Sequence, residues 1–133
     1  MSDQVKKILI IEDDDLISQM YLASLDGSAF EVRLEKDGEL GWQAMQTYVP
    51  DLVIVDFMMP KLNGIEVLQK MRADLRLKAV PTIMMSSLMD DADKQKALNA
   101  GATAYWVKNE VSMADFETKI AEVLAQKSQT PLQ

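Results

Sequence analysis

The 133-residue chain contains no cysteine and no histidine. The first absence removes disulfides, thiolate metal sites and thiol nucleophiles together; the second excludes imidazole acid–base chemistry and, with the first, the usual zinc centres. Any metal must be held by oxygen, which selects hard ions, chiefly magnesium, calcium or manganese. Long apolar runs are also missing. No segment approaches the roughly 20 apolar residues of a membrane span, and the start Met1-Ser2-Asp3-Gln4-Val5-Lys6-Lys7 has no long apolar h-region. The chain reads as cytoplasmic, and the lack of cysteine agrees with that compartment. Positive charge is scarce: 14 Lys and Arg against 21 Asp and Glu leave a net charge of −7. That balance argues against nucleic acid or an anionic membrane as direct partner.

What is present suffices for one domain, since a chain of this length buries about two thirds of the surface its unfolded form exposes. Residues 1–127 are read as that domain. Residues 128–133 are read as a polar tail, either a native terminus or the stub of a linker. Short apolar runs alternate with longer amphipathic stretches, the pattern of repeated βα units around a mostly parallel sheet. The first strand is read at Lys7 to Glu12 and the first helix from about Asp15 to Leu25, with Leu16, Met20 and Ala23 inward. Phe30 to Glu35 alternates apolar with charged residues, as an edge strand does. A helix from Asp37-Gly38 to about Tyr48 is expected to turn Leu40, Ala44 and Met45 inward, and Pro50 ends it.

Leu52-Val53-Ile54-Val55 has no polar interruption, reads as the central strand and ends at Asp56. Asn63-Gly64 precedes a helix from Ile65 to about Asp74 with Ile65, Leu68 and Met71 inward; a fourth strand over Pro81 to Met85 ends at Ser86. A helix from about Asp90 to Ala100 is closed by Gly101, the fifth strand is Thr103 to Val107 with Lys108 at its end, and Ser112 caps a last helix to about Ala125. Tyr105 and Trp106 point to opposite faces of their strand. Met20, Met45, Met71, Met84 and Met85 are read as core filler.

In an open parallel sheet, ligands bind outside the carboxyl ends of the strands. Those ends carry Glu12-Asp13, Asp56, Ser86 and Lys108. An acid pair, a separate acid, a hydroxyl and an ammonium are what reversible phosphorylation of a carboxylate needs: Asp56 as nucleophile, a hard metal ion on the acids, Lys108 and Ser86 on phosphoryl oxygens. Each residue alone has a plainer role. Asp14 and Asp15 suit a turn and a helix cap, Asp56 a turn, and Lys108 a solvated strand end.

Taken in order, Ile10-Ile11-Glu12-Asp13, Asp56 before Met58-Met59-Pro60, Asn63-Gly64, Ser86 and Gly101-Ala102 with Tyr105 and Lys108 resemble the receiver domain of two-component response regulators, notably the stand-alone, chemotaxis-regulator-like kind. The resemblance covers nearly the whole chain. It implies an α/β flavodoxin-like (βα)5 three-layer sandwich whose parallel five-stranded sheet has the order 2-1-3-4-5, an order for which a chemotaxis receiver is a stock example. It implies transfer of a phosphoryl group from a phosphohistidine onto Asp56, with a sensor histidine kinase or histidine phosphotransfer protein as partner. Mg2+, with Mn2+ as a substitute, would sit on Glu12, Asp13, Asp56 and the backbone carbonyl of Met58.

The resemblance also implies that Ser86 and Tyr105 form a switch pair that remodels the face of the fourth helix, fifth strand and fifth helix for a downstream protein target. Such a domain acts on itself and is not a turnover enzyme. One position departs from the pattern: Asn109 stands where the family usually has proline after the lysine. A cis bond there would cost about 3 kcal/mol, so a trans bond is expected, with Lys108 still reaching Asp56. Met58 and Leu88 are apolar where the family often places polar groups, which favours a longer-lived phosphoryl group.

Two other readings keep the fold: a phosphorylation-independent pseudo-receiver, and the receiver part of a larger regulator with an effector domain. A dehalogenase-like phosphatase would need an acid at Met58. A flavin carrier would need a phosphate-cradling loop where Glu12 to Asp15 stand.

Overall fold

A computed structural model describes residues 5–129; the readings made of residues 1–4 and 130–133 lie outside the described residues. The elements are β1 (Lys6–Ile11), α1 (Asp15–Leu25), β2 (Phe30–Glu35), α2 (Gly38–Ala44), β3 (Leu52–Asp56), α3 (Gly64–Arg72), β4 (Thr82–Ser86), α4 (Asp91–Asn99), β5 (Ala104–Val107) and α5 (Met113–Gln129), with a short 3-10 turn over Lys108–Glu110. The five strands form one parallel sheet of order β2-β1-β3-β4-β5. The expected order holds, with β2 at one edge and β3 at the centre.

Helices cover both faces. On one, Leu9, Ile11, Val53, Val55 and Met84 pack with Met45, Val67, Leu68, Met71 and Ala97 of the α2, α3 and α4 layer. On the other, Ile8, Ile10, Ile54, Ile83 and Met85 pack with Tyr21 and Leu25 of α1 and with Phe116, Ile120 and Val123 of α5. Alternate residues of each central strand thus supply opposite layers, which is why β1, β3 and β4 carry unbroken apolar runs. Tyr105 packs on the first layer and Trp106 on the second, as alternation predicts.

Three helix readings are corrected. In α1 the buried residues are Ser18, Tyr21 and Leu25, while Leu16 is 72% and Met20 46% exposed and Ala23 is exposed too. The helix carries two apolar stripes, and the one that faces inward places the Tyr21 ring flat on Phe116, 4.9 Å between centroids. The stripe of Ile17, Tyr21 and Leu25 offers more apolar area to bury than Leu16, Met20 and Ala23. Met20 is accordingly not core filler, whereas Met45, Met71, Met84 and Met85 are. The cap is Asp14, whose carboxylate accepts from the Ile17 N–H at 2.9 Å, and Asp15 instead lies 3.6 Å from Lys36 at the surface.

In α2, Leu40 is 41% exposed and Gly41, Ala44 and Met45 are buried. The helix ends at Ala44, short of Tyr48, in turns where the Met45 amide donates to the Gly41 and Trp42 carbonyls and the Gln46 and Thr47 amides to those of Gln43 and Ala44. At the other end of the chain, α5 continues to Gln129 rather than stopping near Ala125. Gly101 is the left-handed residue after α4, with φ of 107°, and its carbonyl accepts from Arg72 Nε and Nη2 at 3.1 and 2.9 Å. Among the described residues no helix is long and apolar enough to cross a membrane.

Candidate functional site

Strand register assembles the site. Ile11 lies level with Val55, so the next residues, Glu12 and Asp56, emerge side by side. Asp56 is level with Met85, one residue before Ser86, and Ser86 is level with Val107, one before Lys108. Close packing behind these ends fixes them: a Cβ at Gly64 would lie 2.5 Å from the Asp56 carbonyl oxygen, and the Gly64 N–H donates to the Phe57 carbonyl at 3.1 Å. The capping box of Asn63 and Glu66 then starts α3 immediately beside the loop after Asp56.

Glu12, Asp56 and Ser86 are 3%, 6% and 6% exposed, and Asp13 is exposed. Lys108 Nζ lies 2.9 Å from Glu12 Oε1 and 3.1 Å from Asp56 Oδ2. The other oxygens are held by amides: Asp14 N–H donates to Glu12 Oε2 at 3.2 Å and Met58 N–H to Asp56 Oδ1 at 3.4 Å. No cis peptide occurs among the described residues, so the Lys108-Asn109 bond is trans and the lysine still reaches Asp56.

Burial governs the electrostatics. It pushes the Glu12 carboxyl up to about 7 against the hydrogen bond from Lys108, with the Asp56 charge adding to the rise. Asp56 is raised for the same reason, although the charge and hydrogen bond of Lys108 and the Met58 amide oppose it. Burial alone would lower Lys108; the hydrogen bond it donates to Glu12 and the charge of Asp56 outweigh it and hold the ammonium above its usual value.

Carboxylate oxygens of Glu12, Asp13 and Asp56 lie within 4.8 Å of one another. Three oxygen donors converging at that spacing, one of them on an exposed residue, fit a hard divalent cation and suit neither zinc nor copper. Lys108 is the positive charge now balancing two of the three.

Ser86 and Tyr105 meet through a third residue. Ser86 Oγ accepts from the Leu88 N–H at 3.3 Å, and the Tyr105 hydroxyl donates to the Leu88 carbonyl at 3.2 Å. The Tyr105 ring stands edge-on to Phe57, 6.3 Å between centroids. Met58 and Leu88 are each 71% exposed at the rim. Trp106 is half-buried against Phe116, with Lys119 5.7 Å above its ring.

The sequence reading missed Ser18, whose hydroxyl donates to the Glu12 carbonyl at 3.4 Å, and it singled out Leu88 for its side chain, whereas its contacts with Ser86 and Tyr105 are made by backbone atoms. Ser18 was within reach of the helical pattern, since it lies one turn before the buried Tyr21. Assigning the wrong stripe of α1 to the core hid it.

Residues 8–121 match the model of the response regulator receiver domain. The regulator RpaA of Synechocystis sp., a DNA-binding dual master transcriptional regulator, is 34% identical over 119 residues, which are 90% of this chain and 48% of that protein. The chain therefore spans about half the length of that curated relative. Among solved structures, a CheY-like receiver domain protein of Methanospirillum hungatei superposes with a TM-score of 0.85 at 28% identity, over 95% of this chain and 98% of that one. The chemotaxis protein CheY4 of Vibrio cholerae gives 0.83 at 26% identity, over 90% and 99%. With the family model matched over residues 8–121, most of its length, and the fold shared with these receiver structures, the chain belongs to the response regulator receiver domain family.

Proposed function

We propose that this chain is the phosphoacceptor switch of a two-component phosphorelay, with Asp56 as the residue phosphorylated. The observation that carries the reading is the placement of Lys108 Nζ between Asp56 and Glu12 in a site where Asp13 completes a three-carboxylate cluster. An oxygen of Asp56 attacks the phosphorus of a phosphohistidine; the new O–P bond forms as the P–N bond breaks, and the ring nitrogen keeps the electron pair. Glu12, Asp13, Asp56 and the Met58 carbonyl would hold Mg2+, or Mn2+ in its place, and the cation would neutralise charge between carboxylate and phosphoryl oxygens.

The protein groups do the rest. Lys108 leaves its ion pairs to meet a phosphoryl oxygen as a point charge. Ser86 Oγ, now accepting from Leu88, turns to donate to another. That releases one of the two side chains tethering Leu88 and leaves Tyr105 holding the loop alone, so a local charge biases the face formed by α4, β5 and α5. A downstream protein reads that face, and a sensor histidine kinase or histidine phosphotransfer protein supplies the phosphoryl group. The domain catalyses its own modification and reversal, not turnover of an external substrate. It works in the cytoplasm, either alone or as the receiver part of a larger regulator with an effector domain; the relative RpaA is a DNA-binding regulator about twice as long as this chain.

The test is incubation with Mg2+ and acetyl phosphate, wild type beside Asp56→Asn, followed by intact mass. One added phosphoryl group in the wild type only is expected. No labelling by any donor would overturn the reading in favour of a phosphorylation-independent interaction module.

A further inference from the structure

The cleft that contains Asp56 also contains a carboxylate that the chemistry above does not use. Asp93, in the first turn of α4, lines this space of about 280 Å³ together with Asp56, Ser86, Met58 and Leu88. It also lines the neighbouring cleft beside Met58 and Ile65. Asp93 is not the helix cap, a role taken by Asp90, whose carboxylate accepts from the Ala92 and Asp93 amides at 2.9 and 3.2 Å. Among the described residues the Asp93 carboxylate makes no ion pair, and the side chain is half-buried.

We propose that Asp93 is a specificity-determining residue that recognises the leaving group of the phosphoryl donor and selects a protonated imidazole. This rests on the reading of Asp56 as the acceptor. A phosphoryl group leaves an imidazole easily only when the other ring nitrogen carries a proton, because the ring then departs neutral instead of as an anion. As the P–N bond breaks, the nitrogen that held phosphorus takes the electron pair and the second nitrogen keeps its proton. The Asp93 carboxylate accepts the hydrogen bond from that second N–H and favours the protonated ring by its charge. Met58 and Leu88, both largely exposed in the same cleft, give the ring an apolar surface to lie against. An acyl phosphate has the opposite character: its leaving carboxylate is an anion without an N–H, and Asp93 repels it.

The experiment compares phosphorylation rates of the 133-residue chain with phosphoimidazole and with acetyl phosphate in Mg2+, across donor concentrations. In Asp93→Asn the ratio of the imidazole rate to the acyl rate is expected to fall roughly fivefold, the size of one charge-assisted hydrogen bond in a half-exposed cleft. Asp93→Ser, which shares no amide with the first variant, should do the same. Asp91→Asn removes an equal charge from the same helix turn without lining the cleft, and its ratio should stay at the wild-type value. An unchanged ratio in both Asp93 variants, or an equal fall in Asp91→Asn, overturns the proposal while leaving Asp56 as acceptor. Failure of both donors to label the wild type overturns the acceptor reading itself.

Discussion

Lys108 and Glu12 form an ion pair of 2.9 Å in which the carboxylate is almost wholly buried. The same ammonium holds Asp56 at 3.1 Å, so the lysine supplies the cation for two of the three acids that a metal ion would use. Replacing it should strengthen metal binding. Lys108→Met is expected to bind Mg2+ about tenfold more tightly in calorimetry, the effect of removing roughly one pKa unit's worth of competing charge. Equal or weaker affinity would show that the lysine does not compete.

The raised pKa of Glu12 has a definite sign. Its folded value of about 7 lies above the 4.5 usual for a glutamate, so between those pH values the folded chain binds more protons than the unfolded one. The stability this group contributes is fully present below about 4.5 and is lost as pH rises through about 7. In metal-free buffer, urea midpoints should fall over that window, and Glu12→Gln should flatten the slope. Metal binding runs the other way, since the carboxylate must be ionised to act as a ligand. Mg2+ affinity at pH 6 should be roughly tenfold weaker than at pH 8.

Met58 bears on the lifetime of the modified state. Its side chain is exposed beside Asp56 and offers water no hydrogen-bonding group. Met58→Asn should shorten the phosphoryl half-life by roughly threefold, about 0.7 kcal/mol off the barrier, followed by loss of the phosphorylated mass after the donor is removed. An unchanged half-life would mean that attack by water is governed elsewhere.

The two stripes of α1 predict opposite mutational outcomes. Leu16→Ser, at a site 72% exposed, should leave unfolding free energy within about 0.5 kcal/mol of wild type. Leu25→Ala, at a site 4% exposed, should lose about 2–5 kcal/mol. Urea denaturation decides both.

The strands were legible because each central one is a short unbroken apolar run that ends in a polar residue, and a parallel sheet aligns such ends. Glu12, Asp56, Ser86 and Lys108 therefore came together where their order along the chain implied. Helix faces were less legible. In α1 both Leu16-Met20 and Ile17-Tyr21-Leu25 have helical spacing, and only the partner surface of Phe116 on α5, more than 90 residues away in sequence, selects between them. The backbone tether of Leu88 was not legible: no side-chain pattern indicates that Ser86 and Tyr105 both bind its peptide groups.

Helix α4 has one buried residue, Ala97. A helix anchored by so little buried surface is expected to open well below the free energy of global unfolding, with its amides among the first to exchange with solvent. The energetic threshold for moving this face is therefore set locally, by the Ala97 methyl and by the Tyr105 bond to Leu88, while the apolar strands beneath stay in place. On the proposed switch, a change of charge at Asp56 has only this lightly anchored helix to move, not the core beneath it.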